Sequence, residues 1–334
     1  MKPIKIAQIG AEHDHASDIM RNLRKKNDIF EVVGYAIPDG EINQYPPAYE
    51  GLPLMSVDEL LSIPDLDAVA VETSELNLTK YAAAAVERGL AVHMDKPGGT
   101  EPADFEALIT AAKNRRVVFH TGYMYRYNPV ISQLIQDIRD GKLGDIYCVE
   151  AQMNCMHKPQ KRQWLERFPG GMMFYLGCHL IDLVLQIQGM PKEILPLNCS
   201  TGIDGATAED FGMAALKYEN GVSFVKTCAV EAGGYMRRQL VVCGSKGTVQ
   251  LLPIEGYTDS GNLYTVVRQV SSDIFNWSYD GERYRTEPFN RYDTMMHCFA
   301  EYVTGKKENP YTYDYELELY KTVIKCCRKS NGGE

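Results

Sequence analysis

The chain has 334 residues, of which 45% are hydrophobic and 24% are charged, and its formal net charge is −9 at pH 7. This composition is typical of a globular protein with two domains, because single cores rarely grow beyond about 250–300 residues. The negative charge argues against a broad nucleic-acid surface or an anionic membrane as the main partner. A small molecule is the ligand class that these numbers favour.

The N-terminus and the cysteines predict a cytoplasmic location. Residues 1–9 lack the apolar segment and the cleavage site of a secretory signal, and no later apolar run is long enough to span a bilayer. The nine cysteines are scattered without a Cys-x-x-Cys pair, which favours reduced thiols over a disulfide framework or a common zinc site. We therefore expect a cytoplasmic protein without membrane or nucleic-acid partners.

The first 120 residues alternate strand and helix patterns. Apolar strands are expected at residues 4–10, 32–37 and 68–71, with helical periodicity between them. Two more strands are expected at residues 90–94 and 117–120. Strands separated by helices predict a doubly wound parallel sheet, in which ligands bind beyond the carboxyl ends of the strands.

The pattern changes after Tyr123. A helix is expected at residues 129–138, strands dominate from residue 211, and Asn220-Gly221 is typical of a hairpin turn. Two amphipathic helices end the chain. The sequence therefore predicts an α/β domain at residues 1–122 and an α+β domain at 123–334. The second domain would contain an open, mostly antiparallel sheet, and the C-terminal helix could pack back on the first domain.

A predicted helix over residues 172–188 separates polar from apolar side chains. Four polar residues fall on one face, opposite the face that packs on a core: Tyr175, His179, Asp182 and Gln186. Gly170-Gly171 precedes the helix and Gly177 lies within it, and small residues there would let a substrate approach the histidine. The row predicts a site, and the alternative is a solvated His–Asp pair.

Three motifs resemble those of the Gfo/Idh/MocA family, named after glucose-fructose oxidoreductase, inositol dehydrogenase and MocA. Met94-Asp95-Lys96-Pro97 is similar to its Glu-Lys-Pro motif, residues 125–129 to its arginine and proline segment, and residues 177–182 to Gly-x-His-x-x-Asp. The resemblance implies an N-terminal Rossmann domain and a C-terminal sheet that supports a dimer or tetramer. It also implies hydride transfer between NAD, or NADP, and a carbinol of a sugar, cyclitol or related polyol.

The resemblance also implies catalytic roles. Lys96 would bond to the substrate hydroxyl and the nicotinamide ribose, and His179 would be the general acid and base. An imidazole with a pKa near ~6.5 can accept and return a proton at neutral pH. Tyr175 stands where the family commonly has an aspartate, and a neutral phenol cannot hold an imidazolium as a carboxylate does. We include Tyr175 in the catalytic set.

Three residues are expected near the substrate. Tyr123 and Trp164 could form aromatic walls that cover the apolar face of a sugar ring. Asp182 lies in the same motif as His179, where it either contacts the substrate or orients the helix and a neighbouring loop. Trp164 could equally be a core or interface residue.

The expected nucleotide-binding residues depart from the family pattern. Only Gly10 remains of a Gly-x-Gly-x-x-Gly fingerprint, and Glu12 adds negative charge where a diphosphate would lie. Asp39 is the available acidic partner for the ribose. The residues assigned to NAD are Gly10, Ala11, Glu12, His13, Asp39, Thr73, Ser74, Asp95, Lys96 and Pro97.

Four histidines fall near the expected carboxyl ends of strands: His13, His15, His93 and His120. Imidazoles beside carboxylates can bind a divalent metal ion. Histidines at strand ends also serve as local hydrogen-bond partners, however, and we predict no metal here.

Two alternatives to the redox function stay open. One is a sugar lyase, dehydratase or hydrolase that a metal could assist, and the other is a non-catalytic sugar or nucleotide sensor.

Overall fold

The computed structural model describes residues 2–328, which form two compact units. The first unit contains residues 2–124 and 292–320. The second unit contains residues 125–291 and 321–328. The stretch 292–320, which the sequence pattern groups with the second domain, therefore belongs to the first unit.

The first unit contains a six-stranded parallel sheet in the order β3-β2-β1-β4-β5-β6. Its strands are β1 (Ile4–Ile9), β2 (Phe30–Ala36), β3 (Leu54–Met55), β4 (Ala68–Val71), β5 (Ala91–Met94) and β6 (Phe119–Thr121). Its helices up to residue 124 are α1 (Ala16–Lys25), α2 (Val57–Leu61), α3 (Leu78–Glu87) and α4 (Pro102–Arg115). The strand order reverses between β1 and β4, which confirms the predicted doubly wound parallel sheet.

Local chemistry explains several of these elements. Every residue of β4 and of β5 is buried, as expected for central strands covered on both faces. Ser56 and Glu59 form a reciprocal capping box at the start of α2.

Gly10, directly after β1, has a φ of +93°, and a Cβ there would lie 2.4 Å from the Thr73 amide nitrogen. Only glycine lets the ends of β1 and β4 approach this closely.

The second unit contains an eight-stranded sheet in the order β16-β15-β12-β11-β7-β10-β9-β8. Its helices before residue 292 are α5 (Pro129–Arg139), α6 (Pro159–Trp164) and α7 (Cys178–Gln188). The strands of the large sheet are β7 (Ile146–Asn154), β8 (Glu193–Pro196), β9 (Phe211–Tyr218), β10 (Gly221–Cys228), β11 (Gln239–Gly244), β12 (Gly247–Leu251), β15 (Val266–Ser271) and β16 (Glu282–Arg285). A separate pair is formed by β13 (Gly256–Tyr257) and β14 (Leu263–Tyr264).

All neighbouring strands of the large sheet are antiparallel except β7 and β10. The prediction of an open, mostly antiparallel sheet is therefore confirmed. The α7 helix packs against β7 and β10. Buried side chains such as Ala151 and Val225 alternate with more exposed ones such as Phe224 on the other face.

The predicted single helix over residues 172–188 consists of two different helices. Met173–Gly177 is a π-helix, and the α-helix begins only at Cys178. The predicted polar face is also wrong, because Tyr175, His179 and Asp182 are all buried. The solvated His–Asp pair is excluded for the same reason.

Two helices follow Arg291, namely α8 (Asp293–Val303) and α9 (Tyr313–Cys327). Over residues 2–328, no helix is both long and apolar enough to cross a membrane. All nine cysteines lie within this range and are free thiols.

Candidate active site

His179 lies in the first turn of α7, where its side chain is 1% exposed. Its ring centroid is 5.6 Å from that of Tyr125. The preceding π-helix widens the backbone just before the histidine, and such turns frequently occur at functional sites. The histidine is therefore held on a rigid element with an aromatic neighbour.

A buried ion pair fixes the orientation of α7. The Nε of Arg126 is 3.1 Å from both carboxylate oxygens of Asp182, and its Nη2 is 2.9 Å from Oδ1. The side-chain amide of Gln186 also donates to Asp182 Oδ2 at 2.8 Å. This geometry matches the second of the two roles predicted for Asp182: it joins α7 to the segment that carries Tyr125 and Arg126.

Tyr125 is in turn placed beside a buried carboxylate. Its hydroxyl is 3.5 Å from Glu255 Oε2, and Arg291 makes two hydrogen bonds to the same carboxylate, at 2.8 and 2.7 Å. Arg238 lies 3.6 Å from Glu255. Burial and the nearby Glu255 raise the pKa of Tyr125, so its phenol stays protonated near neutral pH.

Tyr175 belongs to an aromatic cluster in the second unit. Its ring lies edge-on to that of Trp164, with centroids 5.4 Å apart. The ammonium of Lys161 is 3.6 Å from the Trp164 ring centroid and 4.7 Å from that of Tyr175. The structure thus brings together Tyr175 and Trp164, two of the residues predicted for catalysis and substrate binding.

The glycines near this helix serve backbone packing. A Cβ on Gly170 would lie 2.7 Å from the Cα of Cys327, and one on Gly171 would lie 2.3 Å from the carbonyl oxygen of Glu209. A Cβ on Gly177 would lie 2.4 Å from the sulfur of Met173. The prediction that these glycines leave room for a substrate is therefore wrong, since other parts of the protein fill that room.

In the first unit, Lys96 follows β5 and is 1% exposed. The Lys96–Pro97 peptide bond is cis, and the amide of Lys96 donates to Asp95 Oδ1 at 2.7 Å. Because β5 ends at Met94, Lys96 lies at the carboxyl end of a central strand, where Rossmann sheets bind their ligands.

Buried imidazoles and carboxylates surround Asp95. The Nδ1 atoms of His13 and His15 lie 3.0 and 2.9 Å from Asp95 Oδ2. Glu75 Oε1 is 3.6 Å from His13 Nε2, and Glu72 Oε2 is 4.0 Å from His13 Nδ1. We call His13, His15, Glu72, Glu75 and Asp95 the strand-end cluster.

Burial and charge shift the pKa values of this cluster. Burial and the nearby Asp95 carboxylate raise the pKa of Glu72 well above its usual range. Burial alone would raise the pKa of Asp95, but His13 and His15 outweigh it and hold that pKa well below its usual range. Burial lowers the pKa of His15, whereas for His13 the Asp95 carboxylate outweighs burial and raises the pKa.

His93 and His120 form a separate pair. Their Nδ1 atoms are 2.7 Å apart, so one ring donates a hydrogen bond to the other. His93 Nε2 is 3.5 Å from Glu72 Oε1, and burial lowers the pKa of His93 to about 4. The four histidines considered as metal ligands therefore do not form one set, because two of them bond to each other.

The loop after β1 does not fit a diphosphate in the manner of a glycine-rich loop. The amide of His13 donates to the Glu72 carbonyl at 3.2 Å, and that of Ala16 donates to the His13 carbonyl at 3.0 Å. The amide of His15 is directed at His13 Nδ1, 3.3 Å away. In a glycine-rich nucleotide-binding loop, such backbone amides point toward the phosphates. In this loop they are directed at other groups of the protein, and the carboxylate of Glu12 lies next to them in sequence. We assign no phosphate contact to this loop.

The other residues predicted at the nucleotide lie at the same edge of the sheet. Thr73 and Ser74 are buried directly beyond β4, and Ser74 donates its amide to Glu41 Oε1 at 3.1 Å. The carbonyl of Ala11 accepts from the amide of Gln44, and Asp39 is exposed after β2. The aromatic residue Tyr123 is buried in the first unit, whereas Trp164 belongs to the second unit.

Sequence patterns missed several polar residues of these sites. Glu72 and Glu75 were not assigned a role, although Glu72 directly follows the apolar β4 strand and Glu75 lies three residues later, and this position is a usable signal. Arg126 was recognised only as part of a motif. Glu41 was missed because it contacts Ser74 across 33 residues of sequence, and no local pattern shows such a contact.

The family assignment follows from sequence comparison. Residues 4–123 match the profile of the oxidoreductase family with an NAD-binding Rossmann fold, and residues 131–250 match that of the GFO/IDH/MocA C-terminal domain. The chain belongs to the Gfo/Idh/MocA oxidoreductase family. This confirms the resemblance drawn from the motifs, and the first unit is the family's NAD-binding Rossmann domain.

Two characterised enzymes are related over most of the chain. The bovine (Bos taurus) trans-1,2-dihydrobenzene-1,2-diol dehydrogenase is 26% identical over 289 residues, which cover 83% of this chain and 81% of the relative. The 1,5-anhydro-D-fructose reductase of Ensifer adhaerens is 26% identical over 236 residues, covering 64% and 71%. Both relatives are named as oxidoreductases, and so is the family.

A solved structure agrees in fold. The 3-ketoreductase KijD10 from Actinomadura kijaniata, in complex with TDP-benzene and NADP, superposes with a TM-score of 0.78 at 18% identity. The match covers 98% of each chain. Both units thus have counterparts in a structure that holds a nicotinamide nucleotide.

Proposed function

We propose that this protein transfers a hydride between a nicotinamide nucleotide and a carbinol carbon of a sugar, a cyclitol or a related cyclic diol. The observation that carries the proposal is His179, a buried histidine on α7 in a chain of this oxidoreductase family. The Arg126–Asp182 ion pair fixes the orientation of that helix. When bound, the nicotinamide supplies the hydride acceptor in oxidation and the donor in reduction.

The chain's own residues then handle the proton. In the oxidation, the substrate loses a hydride from carbon and a proton from its hydroxyl, and a C=O double bond forms. His179 accepts that proton and returns it in the reverse reaction. Lys96 places a positive charge where the alkoxide develops. The Arg126–Asp182 pair is a positioning device, because it fixes the helix that carries His179.

The aromatic cluster supports a cyclic substrate. Trp164 and Tyr175 present ring faces and edges of the kind that cover the apolar side of a sugar or a cyclic diol. The two named relatives act on a dihydrodiol and an anhydrosugar, according to their names. Both substrates are cyclic and carry hydroxyl groups, so the substrate screen should begin with this class.

The test is a spectrophotometric screen of nicotinamide reduction or oxidation with polyols, cyclitols, cyclic diols and keto-sugars. Lys96→Ala and His179→Ala should each lower turnover by about 10²-fold or more. The matched controls are Lys113→Ala and His297→Ala, because both side chains are exposed and pair with Asp314 and Glu301. Unchanged turnover in both site variants would contradict the proposal.

The same screen separates the alternatives. A lyase, dehydratase or hydrolase would convert substrate without added nicotinamide, and a sensor would bind a ligand without turnover. Neither result is expected from an oxidoreductase.

We further propose that the protein forms a homo-oligomer through the large sheet. Leu195, Ala215 and Phe224 align across β8, β9 and β10, on the face opposite the buried Val225. Leu195 is 50% exposed and Val222 is 51% exposed. Phe224→Lys should convert the oligomer to monomers in light scattering, whereas Tyr45→Lys, at an exposed residue of the first unit, should not.

A cytoplasmic location completes the proposal. The nine cysteines are free thiols, which is the state that a reducing compartment maintains. Fractionation of cells that express the tagged full-length chain would test it, and recovery in the membrane or secreted fraction would contradict it.

A further inference from the structure

The strand-end cluster places three metal-ligating groups together in the first unit. One nitrogen of His13, one of His15 and one oxygen of Asp95 lie within 4.8 Å of one another. His13 and Asp95 are 1% exposed, and the His15 side chain is 17% exposed. We propose that these three residues bind one divalent transition-metal ion, such as Zn²⁺.

The spacing of the three atoms is close to that around such an ion. Zinc bonds to histidine nitrogen and carboxylate oxygen at about 2.0–2.2 Å, so neighbouring ligand atoms of a tetrahedral site lie roughly 3.3–3.6 Å apart. The two nitrogen–oxygen separations, 3.0 Å for His13 and 2.9 Å for His15, are shorter than this range, so the side chains would move apart by roughly half an ångström to hold the ion. Two imidazoles and one carboxylate are a common ligand set for first-row divalent metals.

Hydrogen bonding alone leaves a conflict at His13. Its Nδ1 atom is 3.3 Å from the backbone amide of His15, which can only donate. The same Nδ1 faces Asp95 Oδ2 at 3.0 Å, and an atom that accepts with its lone pair cannot also donate to a carboxylate. A cation bonded to both Nδ1 and Oδ2 would explain why these two atoms lie 3.0 Å apart without a proton between them, and it would take the Nδ1 lone pair in place of the long contact from the His15 amide.

The surroundings of the three ligands support the same conclusion. Both oxygens of the buried Glu72 carboxylate have no hydrogen-bond donor among residues 2–328. Glu75 lies behind His13, 3.6 Å from its Nε2, where carboxylates commonly orient a metal-bound histidine. A divalent ion would offset the negative charge of the Asp95 carboxylate and would favour the ionised form of the neighbouring Glu72. The partial exposure of His15 leaves room for water ligands and for entry of the ion.

The proposed metal binding depends on the contacts of the strand-end cluster and requires neither hydride transfer nor a bound nucleotide. The cluster lies beside Lys96 in sequence, and its members His13 and Asp95 are also among the residues predicted at the nucleotide. Metal binding can therefore be measured without a substrate and without a nicotinamide nucleotide.

The test uses the full-length protein after treatment with a chelator and dialysis. Zn²⁺ content is measured by mass spectrometry after reloading, and Co²⁺ binding is followed by its visible absorption. The expected result is one tightly bound ion per chain. His15→Gln and Asp95→Asn should each weaken binding at least tenfold, and His297→Gln should not, because His297 is exposed and pairs with Glu301.

Circular dichroism checks that each variant is folded. If Asp95→Asn does not fold, the His15→Gln variant provides the test, since the His15 side chain is partly exposed and the least buried of the three. Two results would overturn the proposal: no ion retained by the wild-type chain, or one ion retained equally by the wild type and a folded His15→Gln variant.

Discussion

The two units use buried polar residues in different ways. In the second unit, each charge of the Arg126–Asp182 pair meets its opposite at hydrogen-bond distance, and the pair fixes the helix of a single histidine. In the first unit, the strand-end cluster brings imidazoles and carboxylates together with fewer hydrogen bonds than they could make. A satisfied pair stabilises an element, whereas an unsatisfied cluster indicates a binding site.

The two regions also differ in how closely they follow the family's motifs. The motif around His179 resembles Gly-x-His-x-x-Asp, whereas the loop after β1 has Glu12 and His15 where a Gly-x-Gly-x-x-Gly fingerprint has glycines. The parallel sheet and its strand order persist, because they depend on apolar strands and on Gly10. The fold therefore tolerates new chemistry at the loop without losing the sheet.

The largest expected loss of stability comes from breaking the buried ion pair of the second unit. Asp182→Ala should lower the free energy of unfolding by about 3–5 kcal/mol, because it leaves the buried Arg126 without its carboxylate. Asp314→Ala, which removes an exposed partner of Lys113, should cost less than about 1 kcal/mol. Urea denaturation measures both. A similar small loss in the two variants would show that the buried pair does not stabilise the unit.

A smaller effect is expected at the start of the loop in the first unit. Gly10→Ala should cost about 2–4 kcal/mol, because φ is +93° and the added Cβ would overlap the Thr73 backbone. Gly40→Ala is the control, since its φ is +82° but nothing lies within 4 Å of the added atom. It should cost about 1 kcal/mol. Equal losses would show that backbone crowding is not the reason for this glycine.

The smallest expected loss of stability comes from removing a cation–π contact between a lysine and an aromatic ring, a contact that occurs in both units. Lys161→Met removes an ammonium that lies 3.6 Å from the Trp164 ring centroid, and should cost about 0.5–1 kcal/mol of stability. Lys80→Met removes an ammonium 4.9 Å from the ring centroid of Tyr81 in the first unit. Thermal unfolding should show the larger loss for Lys161. A larger loss of stability for Lys80→Met than for Lys161→Met would contradict the view that Lys161 stabilises the aromatic cluster.

The sheet of the first unit could be predicted because its signals are local. Apolar runs such as residues 68–71, separated by helical periodicity, allow few arrangements other than a parallel sheet. The motifs around Lys96 and His179 were equally readable, because each is a short stretch of sequence.

The rest depended on contacts between distant residues. The π-helix before His179 could not be read from a pattern that assumes 3.6 residues per turn. The polar row was predicted to be on an open face because Arg126, 56 residues earlier, gives no local signal that it covers Asp182. The separation of His93 and His120 from His13 likewise depends on how three strands lie side by side.

The most direct test of the account is a calorimetric titration of the full-length protein with NAD, NADH, NADP and NADPH, in both chelator-treated and Zn²⁺-loaded forms. The account predicts saturable binding of at least one nucleotide, one per chain, with a dissociation constant at or below about 100 μM. This would show that the family's Rossmann domain binds nicotinamide although its loop lacks the glycine fingerprint. Absence of binding by all four nucleotides in both forms would contradict the proposed oxidoreductase function.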